Sequence, residues 1–210
     1  MKELDLLKKD WQKNQNSFEQ VSETEIYKMI HKKSSSIVKW ILIISVLELS
    51  LWTLISVAFN TDDYFKKLKH DELIFYFKIL NVFSYLVIFI FIYLFYKNYI
   101  AITTTSSTKQ LMKDILKTRK TVQCYVGYNL AMIVLGLIVG FVIAFAYNPE
   151  TIALKSKIAE NGTVMAITFG VLFLTILVFF GIFWLFYRLL YGILLRRLYT
   201  NYKELKKIDL

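Results

Sequence analysis

Apolar residues along this chain gather into four long blocks, with charged stretches before, between and after them. The blocks run from Ile37 to Phe59, from about Leu73 to Tyr96, from Val122 to Tyr147 and from Val164 to Tyr187. A run of about 18 or more apolar residues is long enough to cross a hydrocarbon layer of roughly 30 Å as a helix. A backbone group facing lipid has no water to bond, so a helix is the expected state of each block. The alternating pattern of an outer-membrane barrel is absent. The pattern predicts an all-α membrane protein: four transmembrane helices over residues 37–187, an N-terminal helical arm over 1–36 and a helical tail over 188–210.

The charged stretches predict an orientation. The arm carries seven Lys, the 97–121 loop carries Lys97, Lys109, Lys113, Lys117, Arg119 and Lys120, and the tail carries Arg188, Arg196, Arg197, Lys203, Lys206 and Lys207. The 60–73 and 148–163 loops carry three and two Lys. Basic residues favour the cytoplasmic side, so both termini are expected inside a bacterial cytoplasmic (inner) membrane. No cleavable signal is expected, because the first apolar block opens only at Ile37. The formal net charge of +10 then belongs to the inner face, where it attracts anionic headgroups; no nucleic-acid role is expected. Tyr125, Trp184 and Tyr187 fall where aromatic rings anchor helices at that interface.

Outside the blocks, apolar residues keep helical spacing. In the arm, Leu4, Leu7 and Trp11 form one stripe, and Ser22-Glu23-Thr24-Glu25 has the form of a capping box that starts a helix running through Ser34-Ser35-Ser36 into the first block. Ser107 and Gln110 form a second such box. It opens a basic amphipathic helix with Leu111, Met112, Ile115 and Leu116 on one side, suited to lying on the membrane surface. In the tail, Tyr191, Leu195, Leu198, Tyr202 and Leu205 step by four, three, four and three, an a/d seam over two heptads. Its expected partner is the Leu4-Leu7-Trp11 stripe, then a second copy, then another protein. Arm and tail together are the candidate interaction surface.

Within the blocks, one ionisable residue stands out. Glu48 is 11 positions from each end of the first block, near the bilayer midplane, where an acid is costly and is expected to face the bundle. Counting helix rise places Ser84, Tyr85 and Thr175 at similar depth as hydrogen-bond partners. Such a group either binds helices together or serves a proton, cation or substrate pathway. Gly136, Gly140 and Ala144 form a small-residue stripe that lets another helix approach closely, with packing inside the bundle favoured over a dimer face.

The remaining chemistry is negative. A single cysteine, Cys124, excludes an internal disulfide. His31 and His70 fall on opposite sides of the membrane in this topology and cannot share a metal. Zinc-protease, Cys-x-x-Cys, nucleophile-elbow and P-loop motifs are missing. No catalytic residues, cofactor or metal are expected, and the chain does not read as an enzyme.

Leu4-Asp5-Leu6-Leu7-Lys8-Lys9-Asp10-Trp11-Gln12, Val21-Ser22-Glu23-Thr24-Glu25-Ile26-Tyr27 and His31-Lys32-Lys33-Ser34-Ser35-Ser36 resemble a group of small uncharacterised four-helix inner-membrane proteins of Bacteroidota. Their genes often neighbour those of alternative sigma factors. The resemblance spans the chain and implies a membrane-tethered regulator whose arm holds such a factor; it carries over no catalytic or binding residues. The reading is therefore a non-catalytic scaffold or regulator working through its cytoplasmic helices, with the lipid bilayer, a second copy or a cytoplasmic protein as partners. The alternative is a small transporter or channel component using Glu48.

Overall fold

A computed structural model describes residues 22–58 and 71–208. The chain is all-α. Helix α1 spans Glu23–Ala58, α2 Asp71–Thr104, α3 Thr108–Tyr147, α4 Ile152–Glu160 and α5 Gly162–Tyr187; a π-helical segment, Arg188–Gly192, joins α5 to α6, Ile193–Ile208. Four helices are long and apolar enough to cross a membrane: α1, α2, α3, and α5 with its continuation.

Local sequence explains the ends. At the start of α1 the Ser22 N–H donates to the Glu25 carboxylate at 3.0 Å, and the Glu25 N–H donates to Ser22 Oγ at 3.3 Å. This reciprocal pair satisfies N–H groups that no helical carbonyl reaches, and it holds the Glu25 carboxyl below the ordinary glutamate range, chiefly through the Ser22 N–H. α3 stops at Tyr147, before Asn148 and a 3-10 turn over Pro149–Thr151, where the Thr151 hydroxyl donates to the Asn148 carbonyl at 2.7 Å. Asn161 accepts from the Thr163 N–H at 2.9 Å and starts α5. The 152–160 helix was not legible as an element in the sequence.

Two expectations fail here. The 107–120 segment is not a separate helix on the membrane surface: α3 runs through it unbroken, with Leu111 and Ile115 fully buried. No Gly or Pro interrupts 108–122, and Thr118 and Thr121 return their hydroxyls to carbonyls of their own helix at 2.8 and 3.0 Å. Nor does Ser107 complete a second capping box. Its side chain caps nothing, and the Gln110 amide donates forward along the helix to Asp114 at 3.0 Å.

The packing is concentrated at the end of the bundle that holds the α2–α3 turn and α6. There Ile30 and Val38 of α1, Ile102 of α2, Leu111 and Ile115 of α3, and Leu198 and Leu205 of α6 form one core. Tyr27 donates to the Thr105 carbonyl in the turn at 3.1 Å, partly buried, and Asn201 of α6 donates to Ser34 of α1 at 3.0 Å in the buried interior. A second core adjoins it, made by Ile41, Phe95, Val122, Tyr125, Tyr187 and Tyr191. Toward the opposite end, large apolar side chains are exposed; Leu54 is 69% and Val57 77% accessible. In lipid this exposure costs little, because the acyl chains are as apolar as leucine.

Candidate functional site

Along α1 the buried positions Ile30, Ser34, Val38, Ile41, Ser45 and Glu48 share one face, stepping by four, four, three, four and three. Glu48 ends that stripe and is 5% exposed. Oε2 accepts from the Tyr125 hydroxyl at 3.0 Å and from the Tyr191 hydroxyl at 2.9 Å, and Oε1 accepts from the Tyr187 hydroxyl. A carboxylate offers about four acceptor positions, so three phenols fill most of it. No cation pairs with Glu48 among the described residues.

The cage draws on every long helix. Tyr125 comes from α3, Tyr187 ends α5, and Tyr191 lies in the π segment. α2 supplies the wall: Phe91 and Phe95 each set an edge against the Tyr125 ring, with centroids 5.4 Å away. Tyr125 meets Tyr191 edge-on at 5.8 Å, and Tyr187 stacks on Tyr191 at 6.1 Å and 22°. Ring contacts of this geometry fix the phenols beyond simple burial. A π turn carries one residue more than an α turn and re-aims the side chains that follow it; here that segment carries the third donor. One level farther from the cage, Trp52 of α1 faces Phe183 of α5 at 5.9 Å.

The partners predicted for Glu48 do not hold it. Thr175 donates to the Val171 carbonyl of its own helix at 2.8 Å, and Tyr85 is half-buried on α2. The reason is directional. Cα–Cβ bonds tilt toward a helix's N-terminus, so Glu48 reaches back along α1 toward the tail end. α5 runs antiparallel to α1, and Tyr187 and Tyr191 lean the opposite way to meet it. Depth counted from Cα positions alone misses both displacements.

The other candidates separate in the same manner. Leu198 and Leu205 are fully buried, Tyr191 is 1% exposed, and Leu195 and Tyr202 pack at the margins of the two cores. The seam is thus covered by α1 and α3 of its own chain and is not a free interaction surface; its predicted partner stripe, Leu4, Leu7 and Trp11, lies outside the described residues. At Gly136 and Gly140 an added Cβ would meet nothing within 4 Å, so the Gly136-Gly140-Ala144 stripe does not bring another helix of the bundle close. Cys124 is exposed. His70 lies outside the described residues, among which no group of three or more His, Cys, Asp or Glu could hold a metal ion.

The sequence pattern does not single out Tyr125 and Tyr187, which stand where interfacial anchors stand, or Tyr191, which opens the tail seam. The signal available was Tyr187 and Tyr191, four apart on a continuing helix, facing the inner end of the third block.

Among protein families, one described as "Domain of unknown function (DUF8845)" matches residues 24–210. No curated protein and no solved structure matches the chain.

Proposed function

The chain belongs to the DUF8845 family, and from the distribution of its packing we propose a non-catalytic scaffold or regulatory protein of the bacterial inner membrane, with both termini in the cytoplasm. The observation behind this reading is that the bundle is firmly packed at one end. The ends of α1, α2 and α3 and the whole of α6 share a core there, which reads as a cytoplasmic platform. The membrane-crossing halves expose most of their apolar residues. The Glu48 cage sits where platform and bundle join, and its donors come from both sides of the α5–π junction. That placement suits a latch fixing the angle of the platform. It suits a transport pathway less well, because three phenols already occupy the carboxyl.

Since the tail seam is used within the platform, the proposal rests the partner contact on the sequence stripe Leu4, Leu7 and Trp11 of the arm. A cytoplasmic protein, of the sigma-factor class the resemblance implies, is the partner this reading carries. The test replaces Leu4, Leu7 and Trp11 together by Ser in the full chain and compares mass and co-purifying proteins in mild detergent with wild type. Loss of a partner or of self-association supports the proposal. Identical profiles, with no partner and no self-association in either, overturn it.

A further inference from the structure

We infer that Arg119, Tyr199 and Lys203 form a binding site for the phosphate of an anionic phospholipid headgroup. The Arg119 guanidinium of α3 lies over the Tyr199 ring of α6, 4.2 Å from its centroid, and the Lys203 ammonium lies 5.0 Å from the same centroid. Two cations from different helices thus converge on one ring. Each is attracted by the ring's negative face, and together they need an anion.

No acidic side chain pairs with either cation among the described residues. Asp114, five positions before Arg119, already accepts from Gln110 at 3.0 Å and from Thr105 at 3.4 Å. The Arg119 Nε is enclosed and has no hydrogen-bond partner. With no carboxylate beside it, the guanidinium fork keeps the geometry that matches a phosphate. Arg196, three positions before Tyr199, shares that face of α6 and adds a third charge.

Depth selects the source of the phosphate. Tyr125 and Tyr187 are level with each other, because both hold Glu48. Arg119 is six residues before Tyr125, and Tyr199 and Lys203 are twelve and sixteen after Tyr187, which displaces them about 9, 18 and 24 Å from the cage toward the tail at about 1.5 Å per residue. Tyr125 and Tyr187 lie at the inner ends of their blocks, so the three side chains stand past the hydrocarbon on the tail side, where headgroup phosphates are met. The site does not depend on the arm or on any protein partner, so it can fail or hold independently of the proposed function.

The test titrates the full-length protein in neutral-detergent micelles with dioctanoyl phosphatidylglycerol, dioctanoyl phosphatidylcholine and sodium phosphate, reading heat of binding. Saturable binding of phosphatidylglycerol, in preference to the other two, is expected. The Arg119→Gln, Lys203→Gln pair should weaken it at least about tenfold, with roughly 1 kcal/mol assigned to each charge. The control pair Lys206→Gln, Lys207→Gln removes the same charge elsewhere on α6 and should change it less than threefold. Lys203→Gln alone, at an exposed position, leaves the Arg119 stack in place and should still weaken binding several-fold. Equal losses from the two pairs, an unchanged Lys203→Gln, or no preference over phosphatidylcholine would overturn the site. Tighter binding of free phosphate would overturn its assignment to lipid.

Discussion

Replacing Glu48 by Leu removes the acceptor of three buried hydroxyls while keeping side-chain volume nearly constant. Each buried donor left without a partner costs about 1–3 kcal/mol, so three orphaned phenols set an upper range of about 3–9 kcal/mol, less whatever rotation or entering water recovers. Tyr191→Phe removes only the 2.9 Å bond to Oε2 and leaves the Tyr125 and Tyr187 ring contacts in place, so it should cost about 0.5–3 kcal/mol. The combined Glu48→Leu, Tyr125→Phe, Tyr187→Phe, Tyr191→Phe variant deletes both sides of every bond. Apolar replacement of both partners approaches neutrality, so this variant should recover most of the loss. Unfolding by dodecyl sulfate in mixed micelles, followed by far-ultraviolet circular dichroism, measures all three. Wild-type stability in Glu48→Leu, or a combined variant no better than Glu48→Leu alone, would refute the cage as a bonded unit.

Other outcomes follow from the same packing. Leu198→Ala, in the fully buried core of α6, should cost about 2–5 kcal/mol in that unfolding assay, and should raise the rate at which protease cleaves the tail first. Gly136→Ala should be neutral or stabilising by up to about 1 kcal/mol, because a helical Gly is entropically costly and the added methyl meets nothing; a clear loss of stability or of mass in detergent would mean another helix packs there. The Glu25 carboxyl is held below its ordinary range, so the cap's contribution is present above the glutamate range and is lost as pH falls through the depressed folded value. Amide exchange at Glu25 and Ile26 should therefore accelerate, relative to mid-helix amides, only at acid pH, and Glu25→Ala should show the faster exchange already at neutral pH.

The four blocks and the Ser22 box were legible because membrane length and reciprocal capping are local properties of sequence. The inward face of Glu48 was legible as well, since an acid in an apolar helix turns away from lipid. Its partners were not. Tyr125 and Tyr187 sit at block ends, where aromatic residues are ordinarily interfacial; the backward lean of Glu48 along α1 brings it toward Tyr125, and the opposite lean of side chains on antiparallel α5 brings Tyr187 to it. The seam of Tyr191, Leu195, Leu198, Tyr202 and Leu205 was visible as a stripe that must be covered. Which surface covers it depends on α3 continuing through 108–122, and an amphipathic pattern beside a membrane block looks the same whether the helix bends onto the surface or runs straight. The small-residue stripe at Gly136 shows the same limit: small residues permit close approach without requiring it.

The proposed function requires a partner to meet the arm residues Leu4, Leu7 and Trp11 on the cytoplasmic side. The most direct measurement installs a photo-reactive benzoylphenylalanine at Leu7, and in a second strain at Ile167 on the exposed far half of α5, and irradiates living cells. A discrete heavier adduct from Leu7, absent from Ile167 and abolished by Leu4→Ser with Trp11→Ser, is the predicted result. No adduct from Leu7, or one that forms equally from Ile167, would contradict it.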